Sequence, residues 1–111
     1  MIEQIVLDWL NRYLTPVKAF METPENEPVS YVRIEKTGSA EMNGIHTATF
    51  AVQAYAGTLL DAAQLNETVK TVMNQLILHP NIGRVQLNTD YHYTDAARRR
   101  YRYQAVYDIT Y

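Results

Sequence analysis

The side chains best suited to chemistry in this chain are three histidines, a pair of glutamates and a run of arginines. His46, His79 and His92 fall on different predicted elements, and none has a second ligand at metal spacing such as i, i+4 on a helix. A strand end for His46, a helix C-terminus for His79 and a solvent-facing strand position for His92 account for them without a metal. Glu25 and Glu27 flank Asn26 in a proline-containing stretch. Acid–base work needs carboxylates held rigidly and partly desolvated, so these two read as solvated loop charge. The sequence has no G-x-S-x-G, no Walker loop and no dinucleotide fingerprint, and only four glycines with which to build a phosphate cradle. No catalytic, cofactor-binding or metal-binding residue is assigned, and the chain is expected not to be an enzyme.

Arg98, Arg99, Arg100 and Arg102 form the one basic cluster, interleaved with Tyr101 and Tyr103. Arginine with aromatics is the composition of some nucleic-acid surfaces. On a strand, however, Arg100 and Arg102 face away from Tyr101 and Tyr103, which separates phosphate pairing from base stacking. Arginine and tyrosine are also enriched between protein subunits, where guanidinium forks pair with carboxylates. Subunit contacts are therefore the preferred reading of the cluster.

The elements that would position these groups can be read from periodicity. Ile2, Ile5, Val6, Trp9, Leu10 and Tyr13 share one face of a helix predicted over residues 2–14. Thr15-Pro16 ends it, and a short strand is expected from Val17 to Met21. Glu22 to Val29 holds two prolines, three glutamates and Asn26, a composition predicting a solvated, mobile acidic loop. Tyr31 to Lys36 alternates with period two, as a half-buried strand does, and Thr37-Gly38-Ser39 is predicted to break it. Asn43-Gly44 is a turn signal. A long central strand is expected from His46 to Tyr55. His46, Ala48, Phe50, Val52 and Ala54 lie on one of its faces, and Thr47, Thr49, Ala51, Gln53 and Tyr55 on the other.

Thr58 is placed to cap a second helix, with Asp61 at the positive end of its dipole. Ala62, Leu65, Val69, Val72, Met73 and Leu76 form that helix's buried stripe, which runs to about Leu78 before His79-Pro80-Asn81. Val85, Leu87, Thr89, Tyr91 and Tyr93 then alternate with polar residues in a further strand. A turn over 94–98 precedes a last strand, Arg99 to Tyr111, with Tyr101, Tyr103, Ala105, Tyr107, Ile109 and Tyr111 on one face. The predicted architecture is a single α+β domain over 1–111, in the order α-β-β-β-α-β-β. Its two helices pack on one face of a mainly antiparallel sheet.

Composition bounds what such a domain does. A formal charge of −2 gives no long-range attraction for phosphate backbones or anionic membranes. Without cysteine there is no disulfide framework and no thiolate site, which fits a reducing cytoplasm. No apolar run approaches the roughly 20 residues that cross a bilayer, and acidic residues in the first helix argue against a signal or transit peptide. Nine tyrosines against two phenylalanines and one tryptophan suit half-buried strands and contact surfaces.

Pro28-Val29-Ser30-Tyr31-Val32-Arg33-Ile34-Glu35-Lys36-Thr37-Gly38, followed by Ala51-Val52-Gln53-Ala54-Tyr55-Ala56, resembles the tail terminator proteins of long-tailed (siphovirus-type) bacteriophages. In that family a strand ending Arg/Lys-Thr-Gly-Gly precedes a strand reading apolar-Gln-Ala-Trp/Tyr-Ala. A capped Ala- and Leu-rich helix follows, similar to Thr58–Leu76, and then an Arg-Tyr-rich final strand, similar to 95–111. Tyr31, Arg33, Lys36, Thr37, Gly38, Gln53 and Tyr55 carry the motif; Ser39 stands where a second glycine is common. The resemblance implies a homo-oligomeric ring, usually of six copies, that caps the tail tube, stops its growth and joins it to the head. The implied partners are the tail tube protein and a head-completion or neck protein, with DNA only as cargo through the ring. It implies no cofactor and no membrane, and a location at the tail–neck junction of the virion after assembly in the host cytoplasm. Glu25, Asn26, Glu27, Asn43 and Gly44 become candidate docking loops, and Arg98, Arg99, Arg100 and Arg102 a candidate intersubunit or lumen surface. Another neck ring protein and a small nucleic-acid-binding module are the alternatives.

Overall fold

A computed structural model describes residues 1–111. Helix α1 spans Ile2–Tyr13 and buries Ile2, Val6 and Leu10, while Tyr13 at the rim of the stripe stays exposed. Helix α2 spans Leu59–Asn74 and tightens into a 3-10 turn, Gln75–Leu78, where a continuous helix is expected from sequence. The Thr58 side chain caps it, accepting from the Asp61 amide at 3.1 Å. Strands β1 (Ala19–Phe20), β2 (Tyr31–Met42), β3 (Ile45–Ala56), β4 (Arg84–His92) and β5 (Tyr101–Thr110) complete the order α-β-β-β-α-β-β.

The five strands form one sheet in the order β1-β2-β3-β5-β4, antiparallel except where β1 runs beside Val32 and Arg33 of β2. Both helices cover the same face. The core there is built from Val32 and Ile34 of β2, Ala48, Phe50, Val52 and Ala54 of β3, and Ala105, Tyr107 and Ile109 of β5. Trp9 ties the helices together by donating its indole N–H to the Val72 carbonyl at 2.9 Å. Each fully buried aliphatic side chain in this layer contributes about 1.5–3 kcal/mol of transfer free energy.

Two bulges correct the sequence reading. Thr37-Gly38-Ser39 does not break the second strand. The chain absorbs the irregularity as a register shift between Lys36 and Gly38 and continues as β2 to Met42. One extra residue in the strand exchanges its faces. Lys36, ahead of the shift, stays on the helix side with Val32 and Ile34, paired with Glu3 at 3.0 Å, whereas Ala40 and Met42, beyond it, lie on the far side. The second shift, between Leu87 and Thr89 in β4, splits the alternation predicted for 85–93. Val85 and Leu87 pack toward the core, but Tyr91 turns to the helix-free face and Asp90 turns under α2. There Asp90 accepts from Asn66 at 2.9 Å and Lys70 at 3.0 Å.

Asn43 and Gly44 form the predicted two-residue turn, both with positive φ (52° and 78°), which Asn and Gly tolerate best. Beyond His46, whose carbonyl accepts from the Tyr111 amide at 2.9 Å, the hairpin has no neighbour on the β5 side, so its end projects from the body. The molecule measures 44 × 25 × 24 Å.

Candidate functional site

The helix-free face of the sheet carries Tyr31, Arg33, Gln53, Tyr55 and Arg102 of the residues singled out by sequence, whereas Lys36 lies on the helix side. Tyr31 on β2 is the register partner of Tyr55 on β3, and Arg33 of Gln53, so the two family-like strand segments lie side by side. The Tyr31 and Tyr55 rings stack with centroids 4.5 Å apart and planes 8° from parallel. Arg100 sits 5.7 Å from both ring centroids, and Arg102 lies 5.6 Å from Tyr55 and 4.3 Å from Tyr93. Guanidinium over an aromatic face is attractive at these distances, more so where water is excluded.

Beneath this layer runs a directed chain of hydrogen bonds. Arg102 donates to the Tyr55 hydroxyl at 2.8 Å, and that hydroxyl donates to Gln53 Oε1 at 3.3 Å. Gln53 Nε2 donates to Gln104 Oε1 at 2.8 Å, and Gln104 donates in turn to the Tyr91 hydroxyl. Gln53, Tyr55 and Gln104 are buried, so each bond replaces water that cannot reach the group.

The acidic loop is exposed at Glu22, Thr23, Glu25, Asn26 and Val29, as its composition predicts, and its end from Glu27 to Val29 is fastened to the cluster. Glu27 accepts from the Tyr31 hydroxyl at 2.7 Å and pairs with Arg98. Arg100 donates to the carbonyls of Pro28 and Val29 at 3.3 and 3.2 Å. The Tyr31 hydroxyl and the Arg98 guanidinium hold the Glu27 carboxyl below its ordinary range. Burial, followed by the Glu27 carboxylate, pushes the Tyr31 hydroxyl well above the usual tyrosine value. Glu25 and Asn26 are both exposed and make no side-chain bond.

Sequence reasoning separated Arg100 and Arg102 from stacking partners on β5. The structure supplies those partners from other strands: Tyr31, Tyr55 and Tyr93. Tyr31 and Tyr55 are themselves buried, so they hold the arginines but offer no open face to a base. Arg98 and Arg100 are committed within the subunit. Arg99 is exposed in the turn between β4 and β5 and makes no ion pair or side-chain hydrogen bond. Gln104, Tyr91 and Tyr93 were missed as members of the cluster. The shared face of Gln104 and Arg102 was visible in the alternation of the last strand; the adjacency of β3 and β5 was not.

Asn43 and Gly44 lie nine or more residues in sequence from Gln53 and Tyr55, at the other end of the β2–β3 hairpin. Around them Ala40, Met42, Ile45 and Thr47 line an open apolar surface on the helix-free face, with Met42 75% and Ile45 57% exposed. The histidines do not converge: His46 stacks on Tyr111, His79 meets the Trp9 edge, and His92 bonds Thr94. No known protein-family model matches the chain, and no curated protein sequence matches it.

Proposed function

We propose that this chain is a structural virion-assembly protein that forms a ring on the tail tube of a long-tailed bacteriophage, stops tube growth and joins the tail to the head. The observation that carries the reading is the projecting β2–β3 hairpin, whose apolar residues Met42 and Ile45 have no cover within the subunit. Exposed apolar surface at a protruding tip serves contact with another protein. The tyrosine–arginine cluster fits the same reading. Its polar atoms largely satisfy one another inside the subunit, so it stiffens the helix-free face and converges on no substrate-sized pocket.

On this reading the tail tube protein and a head-completion protein are the partners. DNA passes through the ring as cargo, and the protein resides at the tail–neck junction after assembly in the host cytoplasm. Electron microscopy of the purified protein, alone and mixed with tail tube protein, tests it. Rings that cap tubes at fixed length are expected. Rings that leave tubes untouched point to another neck position, and the absence of rings refutes the proposal. A nucleic-acid module is favoured only by Arg99 and the rim tyrosines, Tyr91 and Tyr93, which are 40% and 43% exposed. Titration with DNA and RNA at low salt discriminates, since phosphate-driven binding is strongest there.

A further inference from the structure

We propose that copies of this chain join head to tail through their sheet edges, the outer edge of β2 pairing antiparallel with β4 of the next copy. The inference rests on the ring reading above and supplies the contact that closes it.

Both sides of the sheet end in unpaired backbone. On one side β1 covers only Val32 and Arg33, which leaves β2 open from Ile34 to Met42. On the other, β4 has no strand beyond it along its nine residues. Hydrogen-bond alternation identifies the outward groups. The Val32 amide donates outward to Lys18 O at 2.9 Å, so Ile34 and Lys36 also face outward. Past the bulge, Met42 and Ile45 flank a two-residue turn and bond each other, which turns Glu41 and Ser39 outward. On β4 the Tyr93 amide donates inward to Arg102 O at 2.9 Å, so the backbone groups of His92 and Asp90 face out. An edge of this length in a monomer is ordinarily blunted by proline, lysine, a bulge or a covering segment; β2 carries Lys36 and the bulge after it, and β4 has its bulge at Leu87–Thr89 but no proline and no lysine.

A second copy is the occupant that fits both edges. β2, β3, β5 and β4 alternate in direction, so a following β2 in the same orientation meets β4 antiparallel, with every helix kept on one side of the continued sheet. The heights agree as well. Register places Ala40, Thr47, Thr110 and Arg84 on one line across the sheet, and Ile34, Val52, Ala105 and Asp90 on another. The open stretch of β2 and residues 84–90 of β4 therefore stand at the same level. Joining them needs no axial step along the strands, which meets one requirement of a closed ring; the rotation between copies supplies the other.

The cysteine-free sequence makes the contact directly testable. Ala40 and Arg84 are exposed, at one height and on the helix-free face. Ala40→Cys and Arg84→Cys proteins, mixed under mild oxidation, are expected to cross-link with each other, and neither is expected to do so alone; Gln86→Cys serves as the neighbouring register. Ser39→Pro removes an outward amide, so it should leave the monomer's circular dichroism and melting curve unchanged while ring formation falls at least tenfold. Rings with no cross-link between the two edges, or rings unaffected by Ser39→Pro, overturn the edge contact and leave the tail-cap reading standing. Cross-links within a single variant indicate two-fold pairing and overturn it too. A wild-type protein that forms no rings overturns both.

Discussion

Replacing Gln53 by leucine tests whether the helix-free face is held by a connected chain of hydrogen bonds or by independent contacts. Gln53→Leu leaves the Gln104 carbonyl oxygen without its donor and the Tyr55 hydroxyl without its acceptor, and both groups are buried. An orphaned buried polar group costs about 1–3 kcal/mol, so the single substitution should cost about 2–4 kcal/mol after some relaxation. Gln104→Leu strands Gln53 Nε2 but releases the Tyr91 hydroxyl to solvent, since Tyr91 is 40% exposed; its cost should be about 1–3 kcal/mol. In the double variant the two amides disappear together and only the Tyr55 hydroxyl lacks its partner. The double cost should then fall short of the sum of the singles by about 2 kcal/mol. Urea denaturation of the four proteins, with equal slopes required across the set, measures that difference. Additive losses within about 0.5 kcal/mol would refute the coupled chain.

Lowering pH should release the acidic loop. Glu27 has its folded pKa depressed from an ordinary value of 4.5, so its contribution is fully present above the unfolded pKa and is lost as pH falls through the folded one. Glu27→Gln should flatten the acid limb of a stability–pH curve below about 4.5, and an unchanged limb would remove Glu27 as the fastener. Leu10→Ala, in a fully buried position of α1, should cost about 2–5 kcal/mol by thermal or urea melts, whereas Leu60→Ala, 67% exposed, should stay within about 0.5 kcal/mol. Gly44→Val places a β-branched residue at a φ of 78° and should destabilise the hairpin turn by about 1 kcal/mol or more, read as faster hydrogen exchange in 40–47. Tyr107, whose hydroxyl is pushed up to about 12 by burial beneath α2, should remain protonated in ultraviolet titrations through pH 10, where exposed tyrosines ionise.

Local periodicity determined most of the element order. The helix stripes at Ile2, Val6, Leu10 and at Ala62, Val69, Met73, the Asn43-Gly44 turn and the inward faces of β3 and β5 depend on spacing alone, and spacing is written in the chain. The bulges at 36–38 and 87–89 were not legible, because an extra residue is accommodated only against a partner strand whose register is long-range. They turned Ala40 and Met42 to the helix-free face and moved Asp90 to Lys70 and Tyr91 to Gln104. Pairing of β3 with β5 likewise decided that Arg100 and Arg102 stack on tyrosines far away in sequence, and that Glu27 fastens its loop. The sequence by itself determined which faces are apolar. Tertiary structure alone decided which polar groups meet and which strand edges stay open, because both depend on strand order, a property no local spacing encodes.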